Sequence, residues 1–207
     1  MATTETFRKV RLVLWGAVAA VALAGGALLL GEAQRAQQAG SNLPAAATIG
    51  APFTLTRSDG TRFDSQSLAG KPYAIFFGFT NCPDICPTTL LEMSNHLKQL
   101  GANADKLNVL FISVDPSRDT PEHLKLYLSA FDDRIIGLTG TTDEVAAVAK
   151  SYRIVYEKVP SKDGSDYTMN HTASVYLMNA NGRLVSTLSF QEPEETRQRK
   201  IDNLVAG

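Results

Sequence analysis

From Pro52 onwards the chain alternates short apolar runs with stretches of helical periodicity. Residues 73–79 (Tyr-Ala-Ile-Phe-Phe-Gly-Phe) are apolar at every position, the pattern of a strand covered on both faces of a sheet, and residues 107–114 nearly repeat it. Residues 52–56 alternate as a short strand, and Ser58-Asp59-Gly60-Thr61 turns the chain towards a second one around Phe63. Leu90, Leu91, Met93, Leu97 and Leu100 recur at helical spacing until Gly101 stops them. Asp119-Thr120-Pro121-Glu122 starts another helix, expected to reach about Phe131. A strand over 135–138, a helix over 142–152 and an edge strand over 153–158 follow. Two strands flanking the turn Asn179-Ala180-Asn181-Gly182 and an amphipathic helix over 192–205 close the chain. The order predicts an α/β fold with a central mixed sheet flanked by helices over residues 48–207.

The first 47 residues follow another pattern. Arg8, Lys9 and Arg11 precede an uncharged run over 12–31, and twenty helical residues span about 30 Å, a bilayer's hydrocarbon thickness. Residues 1–11 therefore read as a cytoplasmic N-terminus, 12–31 as a transmembrane anchor and 32–47, rich in Ala, Gln, Gly and Ser, as a linker. A cleaved signal peptide is the alternative, but its apolar core is usually shorter and Leu28–Ala33 is a poor small-x-small cleavage site. The net charge of −1, with no basic cluster after the anchor, argues against nucleic acid as a partner.

Cys82 and Cys86 are the only cysteines, set in Asn81-Cys-Pro-Asp-Ile-Cys-Pro87 directly after the buried run. If Pro83 occupies the first helical position, with Asn81 or Cys82 as the cap, both sulfurs stand at a helix N-terminus, where thiolate is favoured over thiol. A structural disulfide would close a very small loop and constrain the unfolded chain little, so spacing and placement favour a working thiol pair. A strand running into a cysteine motif that opens a helix is the thioredoxin-like arrangement. Export would put the pair in an oxidising compartment, as a redox site or as metal-held thiolates.

His96 falls mid-helix among polar neighbours and reads as solvent-facing, and His123 as a surface residue. His171 lies at the entry to the strand near Ala173, which in a thioredoxin-like sheet starts close to the cysteines; on spacing alone its structural and ligand readings stay open. Asp84, between the cysteines, suits a helix start yet opposes a second negative charge on sulfur; it is either a plain first-turn residue or part of a site whose charge a cation offsets. Asp115 ends the second buried strand, suited to turn chemistry with Arg118 and Asp119 or to an outer contact with a metal site. Thiolates select Cu(I), zinc or iron–sulfur clusters; structural zinc needs four protein ligands and clusters normally four cysteines, so two thiols and one imidazole suit copper.

Gly50-Ala-Pro-Phe53, Gly70-Lys71, residues 77–87 around the cysteines, residues 113–121 (Ser-Val-Asp-Pro-Ser-Arg-Asp-Thr-Pro) and Met169-Asn-His-Thr172 together resemble the Sco/SenC family of membrane-tethered copper proteins. The resemblance implies copper, Cu(I) or Cu(II), held by Cys82, Cys86 and His171, with the family's acidic residue falling on Asp115. Asn170 stands where the family usually has Asp, a departure that removes no ligand. It further implies a chaperone without turnover chemistry, anchored in the inner membrane and facing the periplasm, with the mitochondrial inner membrane as the alternative. The implied partners are the copper-site subunit of cytochrome c oxidase and other copper chaperones or thiol reductants. A competing reading is a thiol–disulfide reductase, Cys82 attacking and Cys86 resolving; peroxide reduction would need an activating cation that the sequence does not identify. Transfer by ligand exchange would call for a mobile loop over 158–170.

Overall fold

Strand β3 (Tyr73–Gly78) is buried at every position and is the axis of the domain. The computed structural model describes residues 48–207, so the cytoplasmic segment, anchor and linker expected over 1–47 lie outside the described residues. Among the described residues no helix is long and apolar enough to cross a membrane. β3 pairs in parallel with β4 (Asn108–Ser113), from Tyr73 opposite Asn108 to Gly78 opposite Ser113, and β4 pairs in parallel with β5 (Ile135–Thr139). On the other side β3 pairs antiparallel with β8 (Val175–Met178), which pairs antiparallel with β9 (Leu184–Leu188). The hairpin of β1 (Thr54–Arg57) and β2 (Arg62–Asp64) joins antiparallel to β5. The seven-stranded order is β2-β1-β5-β4-β3-β8-β9, the mixed sheet that the hydrophobic pattern predicts.

Among the described residues four α-helices accompany the sheet: α1 (Ile85–Leu100), α2 (Pro121–Leu128), α3 (Thr142–Ser151) and α4 (Glu194–Ala206). α1 buries Cys86, Leu90, Met93 and Leu97, a stripe at helical spacing. Thr120 caps α2 by accepting from the His123 N–H, with Pro121 at its start. This helix stops at Leu128, short of the expected Phe131, because the next N–H groups tighten: Ala130 bonds back to Tyr127 and Phe131 to Leu128. A capping box between Thr141 and Glu144 opens α3.

Three expectations change. α1 begins at Ile85 rather than Pro83, and Asp84 is the residue at its cap. Pro87 in the first turn costs nothing, since N–H groups there have no intrahelical partner. His96 is buried rather than solvent-facing, at 2% exposure. Its polar-looking face is covered by α4, whose Gln198 Oε1 lies 2.5 Å from His96 Nδ1. The segment expected as an edge strand plus open loop forms a separate two-stranded sheet. There β6 (Tyr156–Pro160) pairs antiparallel with β7 (Tyr167–His171).

Candidate metal centre

The loop from β3 to α1 carries the cysteines, and its shape is set by a buried carboxylate. Asp119, 1% exposed, accepts from the Thr80 N–H (3.1 Å), the Thr80 hydroxyl (2.6 Å) and the Ser113 hydroxyl (2.5 Å). Thr80 is thereby fixed two residues before Cys82, whose own N–H bonds to the Phe79 carbonyl. Cys82 is half-buried and Cys86 fully buried, both as free thiols. The Cys86 N–H points at Cys82 Sγ, 3.4 Å away, so a sulfur takes the capping role for which the Asp84 carboxylate makes no hydrogen bond. Gly78 leaves the space that Cys86 needs. A Cβ there would stand 2.9 Å from Cys86 Sγ and 2.6 Å from Phe111 Cε2.

The third group arrives from the separate hairpin. His171, the last residue of β7, places Nε2 3.5 Å from Cys86 Sγ. Its Nδ1 lies 3.0 Å from the Thr172 carbonyl oxygen. A carbonyl only accepts, so Nδ1 carries the proton and the Nε2 lone pair is free to face the sulfurs. Phe76 and Phe79 meet the imidazole edge to face, with ring centroids 6.1 and 5.7 Å away, and fix its plane.

The two thiols are not equivalent. Hydrogen bonding from the Cys86 thiol, with smaller help from the N–H groups of Cys86 and Asp84, outweighs burial and pulls Cys82 down to about 4 from an ordinary 9.0. Cys86 moves the opposite way, first because its proton is held towards Cys82 and then because it is buried. The two shifts are opposite in direction and favour negative charge on the more accessible sulfur.

Among the described residues, Cys82, Cys86 and His171 form the group able to hold a metal, with one donor atom from each lying within 4.8 Å of the others. Three donors round one ion at about 2.0–2.3 Å stand about 3.5–4 Å apart, so this set closes on a metal with a contraction of about 1 Å at most. Its softness excludes magnesium and calcium and matches copper or zinc. The family model described as SCO1/SenC matches residues 41–206. The chain belongs to the SCO1/SenC family.

Other members carry the same architecture. Bradyrhizobium japonicum ScoI, solved with copper bound, is 49% identical and superposes with a TM-score of 0.70, covering 75% of this chain and 99% of that one. BsSco, described as having a disulfide switch and belonging to a family of cytochrome c oxidase assembly proteins, is 26% identical with a TM-score of 0.61, covering 78% of this chain and 95% of that one. The mitochondrial protein SCO1 of Saccharomyces cerevisiae is 42% identical over 156 residues, which are 74% of this chain and 53% of that protein. This SCO1/SenC chain thus spans about half the length of the curated relatives it matches first.

Within the SCO1/SenC domain the side chains of the remaining sequence candidates have partners other than the three donors. Asp84 is exposed, with its side chain 3.5 Å from the Thr88 hydroxyl. Asp115 is 1% exposed and binds Arg118 Nε and the Tyr167 hydroxyl. His123 is exposed and faces the Arg118 carbonyl, as a surface residue does. Residues that sequence reasoning did not single out are Gly78, Tyr127 and Tyr167; Asp119 it treated only as turn chemistry. Tyr127 buries a hydroxyl with no hydrogen-bond partner. Its proton is held tightly by burial first and then by the negative charge of the cysteines. A carboxylate between two strand ends, with Ser113 and Thr80 at those ends, is the signal that could have found Asp119.

Proposed function

We propose that the domain is a copper chaperone of the Sco type, binding one copper ion through Cys82, Cys86 and His171 and assisting assembly of the copper site of cytochrome c oxidase. The observation that carries this reading is the free Nε2 lone pair of His171 facing two sulfurs from a different element. A dithiol that only exchanges disulfides does not need it. Copper bound to Sco relatives and the oxidase-assembly description of BsSco support the assignment. Copper is cargo here. The protein's part is to offer soft donors, hold the imidazole against Phe76 and Phe79, and leave Cys82 accessible to an acceptor's thiolates. Residues 12–31 would anchor the chain in the inner membrane with the domain facing the periplasm, or in the mitochondrial inner membrane.

A second reading has its own support. An accessible Cys82 beside a buried Cys86 is the arrangement of an attacking and a resolving thiol. In that role the chain would keep the oxidase's copper-site cysteines reduced. Copper loading of the reduced full-length chain under anaerobic conditions, for wild type and His171→Ala, separates the two. One tightly held copper per chain, lost or weakened in the variant, is expected of the chaperone. Copper binding that ignores His171, alongside ready reduction of disulfides, would leave the thiol exchanger.

A further inference from the structure

The donors of this site reach it on two different bodies. The cysteines follow β3 in the main sheet, whereas His171 ends a hairpin whose strands pair only with each other. The ladder reaches His171 only through residues 172–174, which lead into β8, while Phe76 and Phe79 set the plane of its ring. Side chains must hold the rest of the hairpin against the cysteine loop.

A single cluster does. Arg118, in the loop between β4 and α2, donates from Nε to Asp115 Oδ2 at 2.5 Å and from Nη1 to the Tyr167 carbonyl at 2.9 Å. The same Nη1 reaches Asp166 Oδ1 at 3.1 Å. The guanidinium carbon lies 3.7 Å from the centroid of the Tyr167 ring, and Lys158 Nζ lies 4.4 Å from it. The Tyr167 hydroxyl in turn donates to Asp115 Oδ1 at 2.9 Å. Backbone, ring face and hydroxyl of one hairpin residue are thus held at once by one ion pair.

That ion pair is tied to the cysteine loop. The Asp115 N–H bonds to the Ser113 hydroxyl, which donates to Asp119, which receives both donors of Thr80. The chain of contacts is unbroken from Thr80, two residues before Cys82, to Tyr167, four residues before His171. We propose that Arg118 and Tyr167 are positioning residues that clasp the hairpin to the β4–α2 loop and so set where His171 stands against Cys82 and Cys86. The clasp rests on the reading of this group as a copper site. Its consequence is that opening the clasp withdraws the imidazole while both sulfurs keep their place, which gives a release step without unfolding the domain.

Removing Asp115 would release Arg118 and the Tyr167 hydroxyl together and so could not tell them apart. Tyr167→Phe keeps the ring over Arg118 and loses only the hydroxyl, and Arg118→Lys keeps the charge and loses the fork. The measurement is Cu(I) release from the full-length chain to a chromophoric Cu(I) chelator, with urea unfolding of the copper-free chain as the control. Tyr167→Phe and Arg118→Lys are each expected to speed release by about fivefold or more, with little change in the urea midpoint. In a His171→Ala background neither should add to the release rate, because the residue they position is gone. Equal acceleration with and without His171, or no acceleration in either background, would overturn the clasp while leaving the copper reading intact. A wild-type chain that holds no Cu(I) at all would remove both.

Discussion

Gly78 and Cys86 meet so closely that no side chain fits between them: a Cβ on Gly78 would stand 2.9 Å from the Cys86 sulfur. The neighbouring Phe111 ring leaves it nowhere to go, at 2.6 Å. Gly78→Ala should therefore displace Cys86 or the ring, at about 1–3 kcal/mol in urea unfolding. Copper retained per chain should fall with it, since one donor is pushed from its place. Full retention at wild-type affinity would show that the sulfur has room the structure does not reveal.

Asp119 concentrates three hydrogen bonds on one buried carboxylate. Asp119→Ala should cost about 2–4 kcal/mol, the loss of charge-assisted bonds plus unsatisfied donors at Thr80 and Ser113. Hydrogen exchange should speed up first at the Thr80 amide. A variant as stable as wild type would contradict the role given to this residue.

The Cys82 thiol is lowered to about 4 because the Cys86 thiol donates to it. Iodoacetamide labelling of the reduced protein should fall on Cys82, with a rate that climbs through about pH 4 and is flat near neutrality. An ordinary thiol would keep gaining until about pH 9. The folded state binds this proton more weakly than the unfolded chain. Its contribution to stability is therefore fully present above the ordinary value of 9.0 and is lost as pH falls through about 4. Cys86 acts oppositely: being raised, it penalises the fold only above the ordinary value of 9.0. Reduced wild type should gain stability over Cys82→Ser from acid towards pH 9, and the absence of that slope would remove the thiolate assignment.

His96 and His171 should separate cleanly. His96 is buried between α1 and α4 and bonded to Gln198, so His96→Ala should cost about 1–3 kcal/mol by leaving a cavity and an unpaired amide. Its copper content should not change. His171→Ala should do the reverse, lowering copper retention with little loss of stability, since the imidazole is only half-buried.

Much of this was open to sequence reading because local rules decide it. The consecutive apolar positions of β3 and β4 can only be strands buried on both sides, and Gly101 ends α1 at a positive φ of 55° as a helix-terminating glycine does. The cysteine pair announced itself by spacing, whereas His171 needed the family resemblance. What stayed hidden depends on partners distant in the chain. His96 looked solvent-facing because Gln198, which covers it, lies 102 residues on. Asp119 looked like turn chemistry because Thr80 lies 39 residues back. The start of α1 lies at Ile85 rather than Pro83, and the Cys82 sulfur meets the Cys86 N–H within its first turn. The hairpin of β6 and β7 was misread as an edge strand and an open loop, since no short-range pattern says that two polar strands will pair apart from the main sheet.

The β8–β9 turn offers a practical handle on the molecule. Because β8 runs antiparallel to β3, with Met178 beside Tyr73, the turn at Asn179–Gly182 sits at the end of the sheet away from the cysteines. Five residue steps along β3 place that end about 17 Å from Gly78. Asn181 is exposed there, and a dye or a surface linker attached to it would leave the thiols and the imidazole facing open solution. Partners could then be presented to the site of a chain immobilised in one known orientation.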